Sequence, residues 1–421
     1  MNLPGSPFLQ YRGEDLYLED VRLADLATQH GTPLYVYSRN AMRAALAPYQ
    51  QALEGRQHLI CYAVKANSNL AVLQTFAQAG CGFDIVSAGE LARVLAAGGQ
   101  PGKVVFSGVG KTRDEMKLAM QAGVKCFNVE STAELEVLSD VASQNGLTAR
   151  VSLRVNPDVD AGTHPYISTG LKGNKFGIAH ELAVETYRRA AQLPGIEVVG
   201  IDCHIGSQIT DVSPYLDALE RVLDLVEAIE SHGITLHHLD LGGGLGIRYT
   251  DETPPDARTL IGQLLARIDV RGHGHREVMF EPGRSLVGNA GVLLTEVMFL
   301  KPGEQKNFCV VDAAMNDLMR PALYEAYMGI VNTRQRRGET TTWDVVGPVC
   351  ESGDWLGRDR DLNVQPGDVL AVLSAGAYGM TMASNYNSRG RAAELMVDGA
   401  QVHVIRARET VESLFAEERL I

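Results

Sequence analysis

The chain has 421 residues, 45% of them hydrophobic and 21% charged, a balance typical of folded globular proteins that excludes disordered, collagen-like and fibrous chains. Such a length exceeds one ordinary hydrophobic core and favours two domains. The formal net charge of -13, with no basic stripe, excludes nucleic acid or an anionic membrane as the main partner.

In chain order, the opening "MNLPGSPFLQYRGEDL" lacks a basic segment followed by an apolar core, and no run anywhere approaches the ~20 apolar residues of a membrane span. From about residue 57 onward, short β-branched runs alternate with amphipathic stretches of helical period, the pattern of strands joined by crossover helices. The predicted strands begin at "HLICYAV", "GFDIV", "KVVFSG", "KCFNVE", "RVSLRVN", "EVVGIDCHIG", "LHHLDLGGG" and "EVMFEPG". Between them lie helix-like pieces such as "LAVLQTFAQAG" and "TRDEMKLAMQAG", ending in the glycine expected just past a helix C-terminus.

Eight such units fit a (β/α)8 barrel of ~250 residues, spanning roughly 35 to 280. A doubly wound open sheet has the same periodicity and is the competing topology. After residue 280 the runs "GVLLTEVMFL", "NFCVVDA", "TTWDVVGPV", "DVLAVLS" and "RAAELMVDGAQVHVIRAR" are separated by Gly, Pro and Asp turns, predicting a second, mostly β domain. The expected class is α/β: a barrel over 35 to 280 with a β-rich domain built from 1 to 34 and 281 to 421. "PLYVYS" (33 to 38) precedes the barrel count and can join the β domain, which would make that domain discontinuous.

The six cysteines, at 61, 81, 126, 203, 309 and 350, form no CxxC pair and no Cys/His cluster. Neither a metal site nor a disulfide framework is indicated, and a reducing, cytoplasmic setting is expected.

Barrel enzymes carry their chemistry at the carboxyl ends of the strands. There the sequence places Lys65, Asp84, Asn156, His204 with Ser207, Gly242 to Gly244, and Glu281 with Arg284. Solvation explains any one polar strand end; a ring of them points to a site. The triple glycine in "LDLGGGLGI" lets backbone N–H groups approach an oxyanion with no Cβ in the way, and a tight turn is the equally weighted alternative. A phosphate cradle, a strand-end lysine and a carboxylate on the last strand together meet the needs of pyridoxal phosphate: an amine for its aldehyde, an anion anchor and an acidic partner for the ring nitrogen. His204 is placed to stack on such a ring, or is an ordinary structural histidine.

With "YAVKAN" (62 to 67), "GFDIVSAGE" (82 to 90), "FSGVGKT" (106 to 112), "FNVES" (127 to 131), "HIGSQI" (204 to 209), "DLGGGLGI" (240 to 247), "EPGRSLVGNAG" (281 to 291), "CESGD" (350 to 354) and "GAYGMTMASNYN" (376 to 387), the chain resembles the fold-type III, alanine racemase-like pyridoxal phosphate decarboxylases over nearly its whole length. The resemblance implies that Lys65 holds the cofactor, with Asp84 beside it and His204 stacked on the ring. It implies that Ser207, Gly243, Gly244, the run Glu281, Pro282, Gly283, Arg284, and Tyr378 bind the phosphate, Glu281 also facing the ring nitrogen. Cys350 is the implied proton donor.

The implied substrate is meso-2,6-diaminopimelate, giving L-lysine and carbon dioxide. Arg284 and Arg320 suit its distal carboxylate, Glu351 its distal ammonium, and Tyr324 and Tyr378 further contacts. Ornithine, arginine and carboxynorspermidine are alternative substrates on the same machinery. Racemisation and an inert cofactor-binding regulator are the rival readings. The family further implies a homodimer in which "CESGD" reaches over from the partner subunit. The Gly-rich segment 166 to 177 is expected to lie near a lid.

Overall fold

A computed structural model describes residues 2–160 and 175–421; most of the expected lid-proximal segment 166 to 177 lies outside the described residues. Two compact units are present: Ala45–Ile247 with Thr253–Ser285, and Met1–Ala44 with Arg248–Glu252 and Leu286–Ile421.

The first unit is a closed parallel barrel. Its strands are β1 (His58–Ala63), β2 (Gly82–Ile85), β3 (Val104–Phe106), β4 (Cys126–Val129), β5 (Ala149–Asn156), β6 (Ile196–Asp202), β7 (His238–Asp240) and β8 (Glu277–Phe280). Each pairs in parallel with the next, and β8 pairs back to β1 through Val278 and His58. Closure excludes the open sheet, a distinction that periodicity could not make. Period-two alternation assigns the faces. Leu59, Cys61, Val105, Cys126, Val199 and Met279 form an interior cluster. The intervening Tyr62 points outward and stacks on Phe76 of helix Leu70–Gln78 at 4.3 Å, a pairing worth about 0.5–1.5 kcal/mol beyond its buried area.

Short polar caps start the helices directly behind the strand ends. Asn69, Ser87, Thr112 and Ser131 each accept a backbone N–H of the helix that follows, each worth about 1 kcal/mol. Thr112 and Glu115 form a reciprocal capping box, and Gly123 closes the same helix in the left-handed conformation. Behind β1 to β4 the helices begin soon after the strands, whereas behind β7 the chain runs from Leu241 to Asp256 before its helix.

The second unit is mostly β. Its main sheet is organised around the long strand Gly291–Lys301, which pairs antiparallel with Leu34–Ser38, Phe308–Val311 and Val369–Val372. Leu34–Ser38 also pairs in parallel with Ala393–Asp398. This residue run therefore belongs to the β unit, and the barrel unit begins at Ala45 where the sequence suggested 35. Leu34, Val36, Val292, Leu294, Leu373, Leu395 and Val397 meet in one core cluster with Leu9, Leu16 and Leu18 from an amino-terminal three-stranded sheet. Among the described residues, no helix is long and apolar enough to cross a membrane.

Candidate active site

All the barrel residues singled out above converge on one rim. Beyond β1 the chain turns through the 3-10 segment Val64–Ala66, which lifts Lys65 above the barrel mouth. Its Nζ donates to Asp84 Oδ2 at 2.5 Å; the lysine side chain is 40% exposed whereas that of Asp84 is fully buried. The lysine is thus held at the edge of the interior by a buried counter-charge.

The loop after β6 carries His204 and Ser207. Gly243 N–H donates to His204 Nδ1 at 3.1 Å, so the neutral imidazole carries its proton on Nε2. Burial, with Arg154 and Lys65 nearby, holds the ring well below its ordinary pKa. A neutral ring is the form suited to stacking.

The loops after β6, β7 and β8 interlock. Arg284, itself buried, donates from Nε and Nη2 to Ser207 Oγ at 3.3 and 3.0 Å. Glu281 N–H donates to the Gly242 carbonyl at 2.7 Å, and Ile209 N–H to that of Gly244 at 2.9 Å. A Cβ on Gly243 would overlap the Glu281 carbonyl oxygen, and one on Gly244 would overlap that of Gly206, at a φ of +100°. The glycines therefore serve close packing, as a tight turn does, and the N–H groups of Gly242 and Gly243 are themselves committed to Asp240 Oδ1 and His204 Nδ1. Gly243→Ala is expected to lower thermal stability by about 1–3 kcal/mol through overpacking against backbone, read as a lower melting temperature.

Glu281 is buried and accepts from Asn128 Nδ2 at 3.2 Å. Burial, then Asp240, Asp84 and Asp202, push its carboxyl well above the usual range, against the pull of Lys65. Such a carboxyl ionises only opposite a cation, and a protonated pyridine is one. The cradle without Cβ atoms and the paired Lys65 complete the fit to pyridoxal phosphate.

Several residues of this rim escaped sequence reasoning: Asn128, Glu130, Arg154, Asp202 and Asp240. Glu130 gathers three donors, Gly108 N–H, Gly177 N–H and Arg154 Nη1, at 3.0, 2.9 and 3.0 Å. For Asn128, Arg154, Asp202 and Asp240 the signal was a polar side chain within or closing an otherwise apolar strand, as in "CFNV" and "GID", where burial without a partner is costly; Glu130 lies just past its strand.

In the β-rich unit, Arg320 opens helix Arg320–Tyr324 and is buried, its Nη1 donating to Tyr249 OH at 2.8 Å with the guanidinium 5.0 Å from the ring centre. A solvated loop charge is thereby ruled out for it. Cys350 is exposed while the other five cysteines are buried. Its N–H donates to Asn387 Oδ1 at 3.0 Å. Asp354 braces the same loop by accepting from Val349 N–H and Met315 N–H at 2.7 and 2.6 Å. Tyr378 is half-buried with a φ of +55°, a strained conformation of the kind that clusters at functional sites.

Residues 39–288 match the model of the pyridoxal-dependent decarboxylase, pyridoxal binding domain. The chain is 60% identical over 412 residues, 98% of each chain, to a Pseudomonas aeruginosa protein named diaminopimelate decarboxylase. It superposes on diaminopimelate decarboxylase from M. jannaschii in co-complex with L-lysine with a TM-score of 0.94, 38% identity and 99% of both chains covered. The enzyme of that name from Helicobacter pylori, complexed with L-lysine, gives a TM-score of 0.90 at 41% identity, covering 94% of this chain and 99% of that one. A lysine paired to a buried aspartate, a glycine-lined cradle and a buried glutamate awaiting a cation thus stand in a chain that belongs to the diaminopimelate decarboxylase family of pyridoxal-dependent enzymes.

Proposed function

We propose that this chain converts meso-2,6-diaminopimelate to L-lysine and carbon dioxide, with pyridoxal 5'-phosphate carried on Lys65. The observation that supports this most is the likeness, over 98% of both chains, to a protein named diaminopimelate decarboxylase. The L-lysine in two solved relatives is the product that such a reaction would leave.

When bound, the cofactor supplies an aldehyde for amine condensation and a protonated ring that takes up the electron pair left by a departing carboxylate. Asp84 orients the Lys65 amine and balances its charge. Ser207, Gly244 and Arg284 would hold the cofactor's phosphate, with Pro282 and Gly283 shaping the turn and Tyr378 adding to the shell. Gly243 contributes through His204, whose Nδ1 it fixes. Glu281 would face the ring nitrogen as a carboxylate. Cys350 returns a proton to the substrate's α-carbon.

At the substrate's far end, Arg320 with Arg284 pairs with the carboxylate, Glu351 accepts from the ammonium, and Tyr324 and Tyr378 add hydrogen bonds. Ornithine has no distal carboxylate and would offer the buried guanidinium no anionic partner, a penalty that disfavours it. Cys350 and Glu351 are exposed, which suits the reading that they complete the partner's site in a homodimer. The unpaired thiols suit a reducing cytoplasm.

Incubation with meso-diaminopimelate and cofactor is expected to release carbon dioxide and L-lysine; activity on ornithine or arginine instead would overturn the substrate assignment. Arg320→Leu is expected to lower kcat/KM by about 10- to 100-fold, chiefly through KM, because a charged hydrogen bond contributes about 1.5–3 kcal/mol. Steady-state kinetics check this, alongside a melting curve, since Tyr249 loses its partner as well.

A further inference from the structure

Glu281 does not stand alone. The parallel registers set Arg154 beside Asp202, and Asp202 beside Asp240, on three neighbouring strands, so all three side chains share the interior face. One carboxyl oxygen each from Asp202, Asp240 and Glu281 lie within 4.8 Å of one another, and all three residues are buried. Gly242 N–H donates to Asp240 Oδ1 at 3.0 Å, and Asn128 Nδ2 to Glu281 Oε1. These donors commit one oxygen of Asp240 and one of Glu281 to accepting. Among the described residues, Asp240 Oδ2 and Asp202 Oδ1 are buried with no hydrogen-bond partner, an arrangement costly for ionised oxygens and natural for a proton shared across the group.

We propose that Asp202, Asp240 and Glu281 form one proton-sharing unit beneath the cofactor, in which Asp240 is a positioning residue that governs when Glu281 ionises toward the ring nitrogen. The inference rests on the reading that Glu281 faces that nitrogen. Three carboxylates this close in a dry interior cannot all be charged. The neighbouring cations are Arg154, whose Nη1 is committed to Glu130, and Lys65, which is committed to Asp84. Among the described residues, the other titratable groups facing the unit are the neutral His204, the Tyr187 phenol and the thiols of Cys61, Cys126 and Cys203, the phenol and thiols all raised by burial. None supplies a further positive charge. Burial also pushes Asp240 up to about 6, against the pull of the Gly242 N–H and the Glu281 carboxyl, and holds Asp202 well above its ordinary value.

The sign follows. A negative Asp240 keeps the proton on Glu281; an amide there removes that repulsion, and Glu281 ionises at lower pH. In the full-length protein stripped of cofactor, infrared spectra are expected to show protonated carboxyl absorption at neutral pH, diminished in Asp240→Asn. Titration with pyridoxal phosphate is expected to place the acid limb of the affinity profile lower in Asp240→Asn by about one pH unit, which is about tenfold in affinity on that limb. Asp202→Asn carries the same test, with a shift in the same direction, should Asp240→Asn not fold. Glu281→Gln should abolish the limb. A wild-type limb in both aspartate variants, with the limb lost in Glu281→Gln, overturns the sharing and leaves the reading of Glu281 standing. A wild-type limb in Glu281→Gln as well overturns both.

Discussion

Lys65→Ala is expected to lower kcat by at least about 10⁴-fold, since losing the nucleophile of a covalent mechanism leaves only binding and orientation. The protein should also fail to develop the visible absorption of the lysine-bound coenzyme, and borohydride should attach none to the chain. The variant also strips the fully buried Asp84 carboxylate of its cation, so a lower melting temperature is expected beside the loss of rate. It must therefore be shown to fold, by circular dichroism and a cooperative melting transition above the assay temperature, before the rate is read. A colourless variant that keeps turnover would remove Lys65 from the chemistry; a coloured, borohydride-labelled variant would move the aldehyde to another amine. Lys111 is the control, because its Nζ is fully committed to Glu134 and to the carbonyls of Gly108 and Asn128 at 2.7–2.8 Å.

The barrel strands were legible because burial on both faces demands continuous apolar runs between turn residues, as in "HLICYAV" and "KVVFSG". Closure was not legible, for it depends on β8 meeting β1 and leaves no local mark. Trp355–Leu362 was missed for a different reason: "WLGRDRDL" alternates buried positions with charged, exposed ones and pairs with Thr341–Val346 at the end of its sheet. An edge strand carries charges that a propensity reading takes for a loop.

The site divides in the same way. Lys65 and Glu281 end strands and stand out against apolar neighbours. Asp202 and Asp240 are the last residues of β6 and β7, but nothing local marks them as partners; only the in-register pairing of β6 with β7 brings them together. Arg154 is similar, since its partner Glu130 lies beyond a different strand. Arg320 was ambiguous because "NDLMRPALYEAY" is polar enough for a surface loop, and its burial against Tyr249 is a tertiary fact.

Cys350→Ala is expected to cost about 10²- to 10³-fold in kcat with little change in KM, the usual contribution of a positioned proton donor. The choice of this thiol rests on its surroundings. Burial pushes Cys81 and Cys309 up to about 12 and Cys61, Cys126 and Cys203 also upward, so none of these readily exchanges a proton. Cys350 is exposed, and its loop is pinned by Asn387 and Asp354. A haloacetamide should therefore label Cys350 alone, with loss of activity that substrate slows. If the thiol serves the partner's site, two inactive variants should rescue each other: a hybrid of Lys65→Ala and Cys350→Ala subunits holds one site with both native residues. Recovered turnover after mixing and subunit exchange is the expected result. Hybrids shown to form yet without activity would place Cys350 and Lys65 in the same subunit's site, and full activity of Cys350→Ala alone would pass the proton to another donor.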